Sequence, residues 1–594
     1  MRVADYIAKR LTALGVDTCF MVTGGGAMHL NDAFGAEPGF RKVFCHHEQA
    51  VSIAAEAYAR IAGRPALVNV TSGPGGINAL NGVFGAYTDS IPMIIVSGQV
   101  KRETLLALSP VEGLRQLGDQ EVAITYMVRP ITKWCHLVQS PEEIPEVIDR
   151  AFREAVTGRQ GPVWIDVPVD IQGAEAPDAM PSDPPGNVLS EPAGPDLDCL
   201  RAVLNELGNA RRPVILAGTG VRLAGAEQEF KRLIDKLGIP VTTAWTHDII
   251  FDEHPLFAGR PGTIGTRAGN FVVQNSDCVL ILGSRLNIRQ ISYNWSSFAR
   301  SARKIWVDID PAEFAKPFVK PDLAICSDLK VFMRQLLEAS RDWTPRHRTW
   351  LRWCRDIQTR YTPKISDYFS REAINPYHFV AELFEQLQSG NIVACGDATA
   401  TIVPFQIGKL RPGMRLFSNS GCASMGYDLP AAIGAAIAEP NARVICLAGD
   451  GSVMLNIQEL QTLRSLNLNV KVFILDNDGY LSIKQTQRNF FGRECGSSRT
   501  SGLTFPDFQR LGQGFDLPST RLRRDHWKVD LSEFLAQKGP AICTVPLDVH
   551  QEFEPRLKSK MVDGVIRTPE LDDMFPFLDR AELEAVRQSA LQIE

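Results

Sequence analysis

The stretch from Arg443 to Tyr480, RVICLAGDGSVMLNIQELQTLRSLNLNVKVFILDNDGY, decides the fold. An apolar run from Val444 to Ala448 stops at Gly449-Asp450-Gly451. Apolar residues then recur at helical spacing (Met454, Ile457, Leu460, Leu463, Leu466), and a second apolar run, Val470 to Leu475, stops at Asp476-Asn477. This is the signature of a strand, a crossover helix and a second strand. Such units are right-handed with parallel strands, so both strands end at the same edge of the sheet. Asp450 and Asn477 therefore arrive side by side at a carboxyl edge, where open α/β sheets bind ligands. One oxygen from each, with a main-chain carbonyl near Gly479, suits Mg²⁺, which completes its octahedron with phosphate oxygens and water. Gly449 and Gly451 let main chain approach a diphosphate, and a helix opening at Ser452 points its amide dipole at that anion. A GDG turn alone is common; the ordered set of GDG, helix and DNxGY ending at Tyr480 carries the reading.

That ordered set is the thiamin diphosphate (ThDP) motif. The chain resembles the ThDP-dependent enzymes and, among them, the acetolactate synthase and acetohydroxyacid synthase group in its FAD-containing branch. The resemblance implies an α/β fold of three doubly wound parallel-sheet domains. Residues 1–172 are expected to form a pyrimidine-binding domain, 173–195 a linker, 196–342 a central FAD-type domain, 365–550 a diphosphate-binding domain and 551–594 a tail. The first of these offers strand candidates CFMV, KVFCH, ALVNVTS, MIIVSG and VWIDVP. The central one offers RPVILAGTG, PVTTAW, CVLILGSR and KIWVDID, and the last NIVACGDATAT, RLFSNSG and AICTVPL beside the opening stretch. The linker is rich in Pro, Ala and acids without periodicity. The tail, polar and punctuated by proline, reads either as a lid over the site or as an arm on a neighbouring subunit.

Composition agrees with a soluble enzyme. A chain of 594 residues needs several cores. Its net charge of -5 argues against nucleic acid as a main partner. Twelve cysteines are scattered without a CxxC pair, which suits reduced thiols in a cytosolic protein. The N-terminal MRVADYIAKRLTALGV reads as an amphipathic helix, and no run reaches the length of a membrane span, so a cytoplasmic location is expected.

Further site residues come from the resemblance. In HEQA-x5-AEAYAR, Glu48 stands where the family's glutamate hydrogen-bonds the aminopyrimidine of ThDP; taken without that likeness, an acid in the first helical turn is explained by the macrodipole. Gln120, in LGDQEVAITYMVRPITK, matches an active-site glutamine, while Asp119 replaces the family aromatic. Gly25, Thr71, Gly73 and Gly396 are expected beside the cofactor, and Met425 beneath it. Gly25 lies in TGGGAMH, which also reads as a plain strand-to-helix turn. GRPGTIGTRAGN, GSRLNIRQ and VDIDPAEF resemble the flavin-binding middle domain and place Gly218, Gly220, Thr263, Gly265, Gly283, Arg285, Arg289, Asp308, Asp310 and Asp328 beside FAD. Arginine's planar fork suits phosphate there, whereas some relatives keep this domain as a scaffold without flavin.

The activity implied is decarboxylation of a 2-keto acid, with pyruvate the implied donor, and carboligation of the two-carbon unit to a carbonyl acceptor, a transferase/lyase reaction. Where the biosynthetic enzymes carry tryptophan, this chain has Thr486, flanked by Lys484, Gln485 and Gln487. Lys484 and Gln487 are therefore the expected substrate contacts, and a keto sugar carried on a nucleotide is an alternative acceptor. A cyclic diketone hydrolase, a plain decarboxylase and a cofactor-binding protein without turnover are the competing readings. The family's arrangement implies a homodimer or homotetramer whose sites lie between subunits.

Overall fold

The computed structural model describes residues 1–177, 194–245, 248–370 and 372–593. Most of the expected linker lies outside the described residues. Within them the chain builds three parallel sheets, so the expected three-sheet α/β fold is what the protein has.

The first sheet holds β1 (Thr18–Met21), β2 (Arg41–Phe44), β3 (Ala66–Val70), β4 (Met93–Gln99), β5 (Trp134–Leu137) and β6 (Pro162–Pro168) in the order β2-β1-β3-β4-β6-β5. The second holds β7 (Pro213–Ala217), β8 (Val241–Thr243), β9 (Cys278–Leu282), β10 (Arg303–Asp308) and β11 (Leu323–Cys326) in the order β11-β10-β9-β7-β8. The third holds β12 (Ile392–Cys395), β13 (Arg415–Phe417), β14 (Val444–Gly449), β15 (Val470–Asp476), β16 (Ser519–Arg521) and β17 (Ala541–Pro546) in the order β13-β12-β14-β15-β17-β16. The first and third sheets thus share one winding. In each, the chain reverses direction between the first strand and its third, β1/β3 and β12/β14. That reversal opens a crevice at the carboxyl edge.

Strands buried on both faces are mostly apolar, as parallel sheets covered by helices require. β3, β4, β6, β7, β9 and β12 are buried along their whole length. The helices Glu48–Ala62 and Asp428–Ala438 pack directly on each other and join the first and third sheets into one core. Their contact is close because Gly434 lies against the Ala54 carbonyl, where a Cβ would collide. A buried polar cluster completes it: Tyr427 donates to Glu56 (2.8 Å), and Arg60 bridges Glu56 and Asp89. Breaking one member of such a cluster leaves an uncompensated buried charge.

Two expectations are corrected in detail. The crossover between β14 and β15 is not one helix opening at Ser452. It divides into Asp450–Val453, a 3-10 turn Met454–Asn456 and Glu459–Ser465. The break turns Asn456 inward to donate to the Gly426 carbonyl at 2.8 Å, while Met454 and Leu455 face outward. The tail, for its part, docks on the central sheet of its own chain. Leu571, Met574 and Ala590 are buried there, and Arg587 pairs with the fully buried Asp572 at 2.8 Å. A hairpin, β18 (Lys560–Val562) with β19 (Val565–Arg567), stands out from it. Among the described residues no helix is long and apolar enough to cross a membrane.

The first sheet also hides a titratable group. Asp166 on β6 is buried and accepts from Ser97 Oγ (2.6 Å) and Gln99 Nε2 (2.9 Å), and burial pushes its carboxyl up to about 7. An acid held above its ordinary value keeps its proton in the folded state where the unfolded chain has lost it. Its contribution to stability is therefore present at low pH and falls as pH rises from about 4 to about 7, by up to about 4 kcal/mol. Asp166→Asn is expected to flatten that part of the pH dependence, read as the urea midpoint of wild type and variant between pH 4 and 8. Parallel curves would show that the group does not titrate in this window.

Candidate active site

The third sheet places Gly396 after β12, Asp450 after β14 and Asn477 after β15, all at one carboxyl edge around the β12/β14 reversal. Asp450 is 1% exposed, and burial pushes its carboxyl up to about 7. Its Oδ2 accepts from the Asn477 N–H (3.2 Å) and the Gly479 N–H (2.8 Å), and its Oδ1 from the Gly451 N–H (2.7 Å). Asn477 donates to Thr399 Oγ1 at 3.2 Å, while its buried Oδ1 has no partner. A buried carboxyl group and an orphaned amide oxygen on neighbouring strand ends fit a hard cation, which would hold the carboxylate ionised and satisfy the amide. Among the described residues no three His, Cys, Asp or Glu side chains cluster as a metal site.

Glycines mark the close approaches. Gly451 lies under the Tyr480 ring, where a Cβ would collide. Gly396 faces the carboxyl group of Asp428, which accepts from Ser452 Oγ at 2.5 Å. Ser452 Oγ in turn accepts from the Gly426 N–H at 2.8 Å, which places Met425 beside this edge, 38% exposed. Gly449 leads into the helical turn that Asp450 opens.

The first sheet presents a second cluster at its own reversal. Gly25 opens the turn after β1, and the Gly26 N–H donates to Thr71 Oγ1 after β3 at 3.1 Å. Gly73, with φ 58°, has its Cα face against the Gln120 carbonyl, and Gln120 itself is left-handed at φ 59°. Glu48 opens its helix with His47 as N-cap, and Glu48 Oε2 accepts from Asn78 Nδ2 at 3.0 Å. Glu48, Thr71, Gly73 and Gln120 are thus brought together. Across the contact between the sheets, Ser424 Oγ donates to Asn81 Oδ1 at 2.6 Å, and Glu459 accepts from the His46 N–H at 3.1 Å.

The expected substrate contacts lie elsewhere. On the helix Leu481–Phe491, Lys484 is 3% exposed and donates to the Asn477 and Asp478 carbonyls at 3.0 and 2.9 Å. Gln487 is engaged with the Cys495 backbone on both sides of its amide. Their side chains serve the backbone, and the outward face carries Ser482, Ile483 and Thr486 instead.

A cavity of about 900 Å³ lies where the three sheets meet. Gly220, Gly283, Arg285, Asp308 and Asp328 line it. Gly218 stands behind them against the Gly283 carbonyl. Thr263, Gly265, Arg289 and Asp310 are not among its lining residues; Asp310 is paired with Arg159 at 2.9 Å. Burial pushes Asp308 up to about 6. Arg60, Asp89, Arg159 and Trp245 also line the cavity, and sequence reading had not singled them out. Asp397 and Thr399 were missed in the same way, although both lie in the quoted GDATAT. Burial pushes Asp397 up to about 6, against the pull of Arg289.

Comparison with known proteins follows the same three-part plan. The N-terminal TPP binding domain of thiamine pyrophosphate enzymes matches residues 1–122, the central domain 200–336 and the C-terminal TPP binding domain 396–545. The chain is 32% identical over 586 residues to a probable acetolactate synthase 2, chloroplastic, of Oryza sativa subsp. japonica, covering 94% of this chain and 86% of that protein. It is 33% identical to a probable acetolactate synthase large subunit of Methanocaldococcus jannaschii, covering 92% of each. It is 30% identical to the acetolactate synthase isozyme 1 large subunit of Escherichia coli K12, covering 93% and 95%. With the metal-type edge, the Glu48 cluster and the three matched domains on one chain, this protein belongs to the thiamine pyrophosphate enzymes and is an acetolactate synthase-like member of that family.

Proposed function

We propose that the protein decarboxylates a 2-keto acid, pyruvate by analogy with its relatives, and joins the two-carbon unit to a carbonyl acceptor. The observation that carries this reading is the buried Asp450 carboxyl group, which accepts from the Asn477 N–H, next to the unpartnered Asn477 Oδ1 at the sheet reversal. Bound ThDP supplies a carbon nucleophile and an electron sink for decarboxylation. Asp450, Asn477 and the Gly479 carbonyl would hold Mg²⁺ and through it the diphosphate. Gly449, Gly451 and Ser452 would line the diphosphate, with Tyr480 packed on Gly451, while Met425 and Gly396 would face the rings. Glu48 would exchange a proton with the pyrimidine nitrogen, Gln120 would face the substrate, and Gly25, Thr71 and Gly73 would complete that wall.

The cavity of about 900 Å³ is large enough for a dinucleotide. We assign it to FAD in a structural role, with Gly218, Gly220 and Gly283 giving close approach, Arg285 the phosphate contact, and Asp308 and Asp328 the ribose hydroxyls. The apolar side chains left exposed near the two clusters, Ile77, Phe84, Tyr87, Met454 and Leu455, support a homodimer or homotetramer with sites shared between subunits. The free cysteines, most of them buried, support a reducing, cytoplasmic setting.

The acceptor follows from the outward face of the helix Leu481–Phe491. Thr486 is short, and Ser482 beside it is small, so the wall that a tryptophan would build is missing. This supports an acceptor larger than 2-ketobutyrate, a keto sugar on a nucleotide among them. Labelled pyruvate offered with a panel of carbonyl acceptors tests it. Transfer of label to the larger acceptors is expected, and Thr486→Trp is expected to cut that transfer by at least tenfold. Efficient formation of 2-aceto-2-hydroxybutyrate, with no transfer to larger carbonyls, would refute the assignment.

A further inference from the structure

The turn Asn477–Tyr480 is gripped from two sides. On the side of the proposed metal, the Asn477 and Gly479 N–H groups point at Asp450. On the far side, the Asn477 and Asp478 carbonyls point at the Lys484 ammonium, 3.0 and 2.9 Å away. The turn between them uses left-handed backbone, which Gly479 at φ 109° takes freely and which is less favourable for Asp478 at φ 58°. A non-glycine residue stays in that region only when its surroundings hold it there. Tyr480 closes the turn with its N–H on the Ser497 carbonyl at 2.9 Å.

A buried ammonium is costly unless it is paired and hydrogen-bonded. Here the compensation comes from two carbonyl dipoles and from the charges facing it: Asp450, Asp478 and Glu494 favour the cation, and Arg488 opposes it. Lys484 is placed one helical turn past the metal loop, so its backbone is fixed by the same element that the loop begins. We propose that Lys484 is a positioning residue that holds the Asn477–Gly479 turn in its metal-receiving conformation and does not touch substrate. With Lys484 on the Asn477 and Asp478 carbonyls, the turn leaves Asn477 Oδ1 without a partner, while the Gly479 carbonyl accepts from the Leu481 N–H at 3.0 Å and keeps a second lone pair for a metal. This rests on the reading of Asp450, Asn477 and Gly479 as a Mg²⁺ site.

The test uses the full chain carrying Lys484→Met, which keeps the stem and removes the donors. Mg²⁺ is titrated in the presence of ThDP, with cofactor binding followed by calorimetry, and pyruvate turnover is then measured at saturating Mg²⁺. The Mg²⁺ concentration for half-saturation is expected to rise at least tenfold. The pyruvate KM at saturating Mg²⁺ is expected to stay within twofold of wild type, with turnover restored by added metal. An unchanged Mg²⁺ requirement overturns the proposal, as does a tenfold rise in pyruvate or acceptor KM without a change in Mg²⁺ requirement. Where Lys484→Met fails to fold by circular dichroism, Lys484→Gln, which keeps a donor for one carbonyl, carries the same titration and criteria. Wild-type protein that binds no ThDP with Mg²⁺ would overturn the metal-site reading itself. A wild type that binds, beside a variant that matches it, removes only the role of Lys484.

Discussion

Replacing Asp450 with alanine is expected to abolish Mg²⁺-dependent cofactor binding and, with it, turnover. The carboxylate is the single acidic side chain on the proposed metal, and it also fixes the turn by accepting the Asn477 and Gly479 N–H groups. Alanine removes the ligand charge and leaves both N–H groups unpaired in a buried place. The loss in metal affinity should exceed the roughly 10–100-fold that removing an outer-shell partner costs. Calorimetric titration of ThDP with Mg²⁺ present checks it. Asp450→Ala with cofactor affinity close to wild type would remove Asp450 from the site.

Glu48→Gln should behave differently. Its position is set by the helix it opens and by the hydrogen bond from Asn78, and glutamine preserves both. Cofactor binding should therefore survive within a few-fold, while turnover falls by about 10²–10⁴, the range that a positioned acid–base group supplies. The decisive readout is exchange of the C2 proton of bound ThDP, followed by NMR after acid quench. Slow exchange in Glu48→Gln with retained binding is expected. Wild-type exchange in the variant would assign Glu48 to the helix end alone.

The two variants separate two parts of one site that lie on different sheets. β14 and β15 carry the proposed anion and metal end, and the helix following β2 carries Glu48, the proposed acid. The shared winding of the first and third sheets explains why each offers a crevice at the same relative point, after its first and third strands.

What could be read from sequence follows burial. β14 and β15 lie inside their sheet, carry apolar runs interrupted only by Lys471, and have bounds within a residue of those the sequence implies. Among the three parallel sheets, the strands that sequence does not announce, β5, β11 and β16, are all sheet edges. Each is short and partly exposed: β5 and β16 are broken by polar residues, and β11, though apolar, spans only four residues with exposed positions. The crossover after Asp450 kept its helical spacing in sequence, yet the inward turn of Asn456 divides it, a demand set by the distant Gly426 carbonyl.

The helix Leu481–Phe491 shows the same limit at the site itself. Its apolar residues do not form one stripe: Leu481 is buried, whereas Ile483, Phe490 and Phe491 are exposed. Without a stripe the facing of the helix cannot be phased from spacing, and Lys484 and Gln487 were read as facing substrate. The Asn477–Tyr480 turn decides the phase, because the helix begins where that turn ends and Lys484 folds back onto it. Of the residues expected beside FAD from the resemblance, Gly220, Gly283, Arg285, Asp308 and Asp328 line the cavity beside the central sheet. The contributions of Arg60, Arg159 and Trp245 arise only when three separate segments meet, and no local pattern marks them.

The central claim is that one chain edge, built by Asp450 and Asn477, receives a metal-bound diphosphate. Titrating wild-type protein with ThDP, once with Mg²⁺ and once with excess EDTA, tests it most directly. Saturable binding of one ThDP per chain that needs the divalent ion is the predicted result. Binding of equal strength in EDTA, or none in either condition, would contradict it.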